Sequence, residues 1–223
     1  MRELGLGSDS TVVDLGAGTG KLTRALVPLV GRVVAVEPLA EMRRELEATV
    51  AGVEVVEGTA NEIPLGDGSA DAVFVAEAFH WFATPEAVAE IARVVRPGGG
   101  IVLMWNRHEF PAEQWVTEMG ELIAARRAPG IKPENRYGSG LWREAFADSP
   151  FEPLSHAEVR HEQPTDIDGL VAHISTWSFV AALPDEERAA LMEDVAASVR
   201  RGLEDADRVA IRYRTQVYWA RRR

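Results

Sequence analysis

Twelve residues, Thr11-Val12-Val13-Asp14-Leu15-Gly16-Ala17-Gly18-Thr19-Gly20-Lys21-Leu22, constrain this chain more than any other stretch. A β-branched apolar run ends in an acid, passes through three alternate glycines and opens into a helical pattern. That order predicts a buried parallel strand, a tight turn whose backbone a ligand can approach, and a helix start with N–H groups to offer. Asp14 lies where strand meets loop, placed to accept hydrogen bonds from a cationic or hydroxylated ligand. The dinucleotide fingerprint is G-x-G-x-x-G. Here Gly16, Gly18 and Gly20 are spaced G-x-G-x-G, which disfavours a dinucleotide oxidoreductase while leaving it as an alternative.

The rhythm that follows extends this start into a sheet. Strands are expected over 32–38, 53–58, 71–76 and 100–105, with a turn over 96–100. Helices are expected over 19–30, 39–50 and 85–95. Met42, Leu46 and Val50 of the second face inward by their spacing. Strands alternating with helices specify a parallel sheet covered on both faces. The second half departs from that rhythm, with helices expected over 111–128, 167–182 and 184–203, a loop over 129–140, and strands over 151–162 and 209–220. The apolar stripe of the middle helix includes Ile167, Leu170, Val171, Ile174, Trp177 and Phe179.

Charge and composition narrow the chemistry. With 24 Lys+Arg against 35 Asp+Glu the net charge is −11, a field that repels phosphate backbones, so nucleic acid is not an expected partner. The absence of cysteine excludes disulfides, a thiolate nucleophile and a thiolate metal site, and no metal is expected. No secretory pattern or membrane-length apolar run is present, so a cytoplasmic protein without membrane contact is expected.

Residues 12–20, 33–38, 58–64, 72–82 and 96–106 together resemble the core of the class I S-adenosylmethionine-dependent methyltransferases. The segment Ala78-Phe79-His80-Trp81-Phe82 and the ending Tyr213-Arg214-Thr215-Gln216-Val217-Tyr218-Trp219-Ala220 resemble the trans-aconitate methyltransferase-like small-molecule subgroup. The resemblance implies an α/β fold: a Rossmann-like, seven-stranded, mostly parallel sheet with an antiparallel last strand and a helical cap in the second half. It implies one domain over 1–223, with 1–106 binding cofactor and 107–223 supplying the substrate-side cap and the last two strands.

The cofactor implied is S-adenosylmethionine, with S-adenosylhomocysteine as product. In such proteins the loop of Asp14, Gly16, Ala17, Gly18 and Gly20 wraps the methionine end, and Glu37, followed by Pro38, accepts from the ribose hydroxyls. Thr59 stands where the family usually carries an acid facing adenine. The Ala60 N–H is a second candidate there, and Ile63 a candidate to pack on the ring. Glu77 is expected to contact the cofactor through its backbone. His80 faces the methyl group as a base or as a lining residue.

Trp81, Arg107, Tyr137 and Trp177 are candidates to line the acceptor, and Arg107, Arg136 and Arg143 to hold an anionic one. The expected reaction is O-methylation of a small-molecule carboxylate or hydroxyl. The alternative is a non-catalytic cofactor-binding or regulatory protein retaining the fold. Relatives in this subgroup carry a helical segment before the first strand, whereas this chain begins about ten residues before it. Weak cofactor affinity, or a homodimer in which the partner covers the site, is expected to follow.

Overall fold

A computed structural model of the protein describes residues 1–126, 137–203 and 208–223. Strands β1 (Thr11–Leu15), β2 (Arg32–Val36), β3 (Glu54–Val56), β4 (Ala70–Ala76), β5 (Val95–His108), β6 (Ser155–Thr165) and β7 (Val209–Arg221) form one sheet. Its order is β3-β2-β1-β4-β5-β7-β6, with six strands parallel and the last antiparallel. This is the Rossmann-like arrangement expected. β1 pairs with β2 through Val12↔Val33 and Leu15↔Val36, and with β4 through Asp14↔Phe74. Strand order reverses between β1 and β4, so the crevice that receives ligands in such sheets opens at their carboxyl ends.

The β-branched runs bury both faces of β1 and β2, which leaves the sheet register little freedom. Between them lies α1 (Lys21–Leu26), shorter than the helix expected over 19–30. Pro28 lacks the N–H that would continue it, and the chain tightens into a 3₁₀ turn over Val27–Leu29. α2 (Ala40–Thr49) buries Leu46 completely and Val50 after it, but Met42 is exposed rather than inward. Its first turn lies beside the glycine loop, where Met42 Sδ is 3.9 Å from the position a Gly18 Cβ would take. α3 (Pro85–Val94) starts where the Thr84 hydroxyl accepts from Ala87 N–H, with Pro85 in its first turn.

β5 is longer than expected, because the segment 96–100 read as a turn belongs to it. Gly98 N–H donates to Arg222 O, and Arg222 N–H donates to Gly99 O, so distant backbone satisfies these groups. A further 3₁₀ helix, Leu141–Phe146, follows the segment 129–140 expected as a loop and buries Trp142 and Ala145.

The chain divides into two compact units. The first holds Met1–Trp105, Gln216–Arg223 and the described part of Glu134–Glu158, taking residues from both sides of the expected division at 106. Its core lies on the α3 side of the sheet around Phe79, which is fully buried. The Phe79 ring meets Phe82, Phe146 and Trp142 at centroid distances of 5.5, 5.5 and 6.1 Å. Phe79→Ala is expected to cost about 3–5 kcal/mol, read as a lower urea midpoint.

The second unit holds Val159–Thr215 and the described part of Asn106–Pro133. Its helices are α4 (Gln114–Ala125), α5 (Ile167–Ser175), α6 (Ser178–Ala181) and α7 (Asp185–Gly202). Trp115, Met119, Leu170, Ile174, Leu191 and Val195 form its core with Ile211 and Tyr213 of β7. The stripe expected over 167–182 is carried by two helices, and the Phe179 side chain lies outside the described residues. α7 opens on Asp185, Glu186 and Glu187 and closes on Arg200 and Arg201, each sign matching the helix dipole. Among the described residues no helix is long and apolar enough to cross a membrane.

Candidate active site

The first unit gathers its candidate residues around the loop that leaves β1. Gly16 and Ala17 N–H both donate to Val36 O, at 2.8 and 3.2 Å, which ties this loop to the end of β2. Its glycines do different work. A Cβ at Gly16 would sit 2.9 Å from Ala78 Cβ, and one at Gly20 would sit 2.8 Å from Leu46 Cγ and 3.0 Å from Val50 Cγ2. Those two are glycine because neighbouring elements press against them. At Gly18, φ +57°, a Cβ would have only Met42 Sδ within 4 Å among the described residues, at 3.9 Å, so that side of the residue faces open space.

Glu37 closes one side of this opening. It is 5% exposed, and its carboxylate accepts from Gly18 N–H at 2.9 Å and Leu39 N–H at 3.0 Å. The acid is thus held at the loop by two backbone donors, with lone pairs remaining for hydroxyl donors. Arg43 supports the turn from beneath, donating to the carbonyls of Glu37 and Pro38 and pairing with Glu57. Pro38 and Leu39 are exposed beside it, so an apolar edge accompanies the acid.

Asp14 departs from the expectation. It is 1% exposed, and Thr23 Oγ1 of α1 donates to its carboxylate at 2.6 Å, so the side chain is directed at α1 rather than at the loop opening. Burial pushes its pKa up to about 6; the Thr23 hydroxyl and N–H oppose that rise, and the Glu37 charge adds to it. Asp14 therefore braces the strand-to-helix turn.

After β3, Thr59 is exposed at the tip of a tight turn in which Thr59 and Glu62 exchange both backbone hydrogen bonds. Ala60 and Ile63 point into the core, at 6% and 2% exposure, so the Ile63 side chain is packing material rather than a ring platform. After β4, Glu77 adopts φ +56°, one of two non-glycine residues with positive φ in the described chain. Strain of this kind is tolerated where it aims a segment at a ligand. Glu77 N–H donates to Met104 O, which holds the turn against β5.

His80 and Trp81 follow in a single 3₁₀ turn over Phe79–Trp81. Trp81 is 64% exposed, with its ring 5.0 Å from that of His80. His80 Nδ1 accepts from the indole N–H of Trp105 at 3.1 Å. Tyr137 packs on Trp105 at 4.6 Å, joining Trp142 and Tyr218 in one aromatic stack.

Arg107 and Trp177 belong to the second unit. Arg107 is exposed at the end of β5, and Trp177 packs on His108 at 5.2 Å and Phe110 at 6.2 Å. Arg136 lies outside the described residues. Arg143 lies over Trp142 at 4.4 Å and Tyr218 at 4.9 Å, donates to the Tyr218 hydroxyl, and lines a cavity of about 620 Å³ with Phe146, Phe151 and His156. No glycine-loop residue lines that cavity. Among the described residues, no group of three or more His, Asp or Glu could hold a metal.

Sequence reasoning missed Trp105 as the partner of His80, Thr23 as the partner of Asp14, and a histidine pair in the second unit. In that pair His108 Nε2 and His173 Nε2 are 2.7 Å apart, with the Tyr213 hydroxyl 3.4 Å from His173. A small polar residue in the first turn after a glycine loop signals the second of these; nothing local signals the others.

The family described as "Methyltransferase domain" matches residues 13–103. An uncharacterized methyltransferase of Mycobacterium tuberculosis is 36% identical over 184 residues, covering 82% of this chain and 71% of that protein. A structure described as a type II methyltransferase from Anaeromyxobacter dehalogenans matches with TM-score 0.76 at 22% identity, over 99% of this chain and 94% of the other. The structure of a geranyl diphosphate methyltransferase in complex with SAM has the same fold, with TM-score 0.54 and 18% identity, over 100% of this chain and 82% of the other.

Proposed function

The chain belongs to the methyltransferase family and is a methyltransferase enzyme; on that premise we propose that it binds S-adenosylmethionine at the glycine loop of the first unit and methylates an oxygen of a small-molecule carboxylate or hydroxyl. The observation that carries this reading is the open space at the Cβ position of Gly18, beside the Glu37 carboxylate to which the Gly18 N–H donates. Open space alone does not mark a ligand site, since Gly5, Gly52 and Gly98 share it at positive φ; at Gly18 it lies beside the Glu37 carboxylate, at the carboxyl end of β1 where the strand order reverses. The residues fit the cofactor's parts. Glu37 offers lone pairs to a ribose, Leu39 and Met42 offer apolar surface, and the Thr59 hydroxyl stands at an exposed turn.

When bound, S-adenosylmethionine supplies a methyl carbon on a sulfonium that leaves as a neutral thioether. The chain's own task is then orientation and exclusion of water. Trp81 supplies a flat exposed wall, and the strained Glu77 sets the direction in which His80 and Trp81 leave β4. Trp81 and Tyr137, both of the first unit, remain the proposed acceptor residues.

The test is calorimetric titration with S-adenosylhomocysteine of the parent and of Gly18→Val. A Cβ here is in ordinary contact with Met42 Sδ alone, and the left-handed backbone costs a side chain ~1–2 kcal/mol. Binding by the parent and none by the variant is the expected result. Equal binding by both would move the cofactor away from Gly18, and no binding by the parent would overturn the cofactor assignment. In the same assay, Glu37→Gln should weaken binding about tenfold or more, by removing the charged acceptor of two hydroxyl donors.

A further inference from the structure

We infer that Trp105 fixes His80 as a hydrogen-bond donor, so that His80 orients the methyl acceptor and takes no proton from it. The inference rests on the proposal that the turn after β4 faces the acceptor, and it decides what chemistry that turn can perform. An indole N–H has no lone pair and can only donate. Its partner at 3.1 Å is His80 Nδ1, which must therefore present its own lone pair. In the neutral imidazole the single hydrogen then lies on Nε2.

Base catalysis by this ring needs a lone pair on Nε2. That requires either the opposite tautomer or, after proton capture, the imidazolium, and both place an N–H on Nδ1 facing the indole N–H. Two donors would then meet head-on. Trp105 cannot turn aside to avoid this. It is 2% exposed and wedged against Tyr137 at 4.6 Å, Trp142 at 4.8 Å and Tyr218 at 6.0 Å. Flipping the imidazole instead would leave a buried indole N–H unsatisfied, which is costly.

The consequence falls on the acceptor. In methyl transfer, a lone pair of the acceptor atom forms the bond to the methyl carbon, and the carbon–sulfur pair stays on sulfur. A carboxylate ends as a neutral ester with no proton left over. A neutral hydroxyl ends with one proton to dispose of, and His80 in this tautomer does not receive it. Of the two acceptor types proposed above, the geometry points to the one already ionised at neutral pH. Trp105 is a positioning residue here, acting through His80.

Nitrogen-15 spectra of the histidine side chains test this on the parent chain without any cofactor or acceptor. The chain has five histidines, and His80→Gln assigns the His80 signal by its loss. The expected pattern is a hydrogen on Nε2 and none on Nδ1. Trp105→Phe, which removes the donor but keeps an aromatic ring, should convert that signal to a mixture of tautomers. A hydrogen on Nδ1 in the parent, or no change of tautomer in Trp105→Phe, overturns the inference.

Transfer assays on an acid and phenol pair, phenylacetate and 4-methylphenol, supply a second readout. Loss of a general base costs about 10²–10⁴-fold. His80→Gln, which keeps a side-chain N–H donor, should cost less than about tenfold. A loss in the general-base range there counts against the donor role. If the parent binds no S-adenosylhomocysteine, the proposed function fails while the tautomer result still stands.

Discussion

Gly20→Val is expected to cost ~2–5 kcal/mol of stability, adding a left-handed backbone penalty to overpacking. Gly20 sits at φ +84° at the start of α1, and its missing side chain is the space that Leu46 and Val50 of α2 fill. Leu46 is fully buried and Val50 6% exposed, so neither can yield by moving into water. Urea unfolding of the two glycine variants therefore separates their roles. Gly18→Val should lose the ligand and only the ~1–2 kcal/mol of stability that its left-handed backbone costs, whereas Gly20→Val should unfold below it by the added overpacking cost of ~1–3 kcal/mol. A Gly20→Val chain as stable as the parent would mean that α2 does not hold the glycine loop.

The difference between those two glycines was not legible in the alternation G-x-G-x-G. Spacing identifies a turn the backbone must make, but the atoms that occupy each missing Cβ come from α2 and from the segment after β4. The acids at the ends of β1 and β2 were legible, because strands buried on both faces place a carboxylate only where it has a partner. Which partner each took was not. Glu37 found the loop, and Asp14 found Thr23, nine residues ahead on a helix whose rotation the sequence leaves open. Met42 shares a stripe with Leu46 by period, yet it lies one turn nearer the helix start, beyond the sheet that buries the stripe. The longest misreading came from Arg96-Pro97-Gly98-Gly99-Gly100. Those residues carry turn chemistry but extend β5, because Arg222, more than a hundred residues away, pairs with their backbone. His80 was found by its place after β4, and its tautomer depends on an indole 25 residues downstream. Local pattern therefore locates strand ends, and long-range partners decide what the side chains there do.

Asp14→Asn is expected to reverse part of the pH dependence of stability. The folded chain raises the Asp14 pKa from 3.8 to about 6, mainly by burial. Between those values the folded carboxyl keeps a proton that the unfolded one has released. Its contribution is full at acid pH and is lost as pH rises through about 6, by ~3 kcal/mol in all. Asparagine keeps an oxygen for the Thr23 hydroxyl and removes the charge, so the variant should equal or exceed the parent in stability at neutral pH. His108 works in the opposite direction over the same range. Burial, His173 and Arg107 push its pKa down to about 4, so the folded ring stays neutral while the unfolded ring is protonated below its usual 6.5. That contribution is lost as pH falls. It agrees with the His108–His173 contact, in which one Nε2 must accept from the other. In the parent the two slopes oppose each other. Asp14→Asn should therefore gain stability more steeply with pH from about 4 to 6, and His108→Gln should lose it. The two groups lie in different units, so unfolding in separate transitions would show each slope by itself. Identical pH profiles for parent and Asp14→Asn would mean that the buried carboxylate is ionised at no cost, and that Thr23 alone compensates its burial.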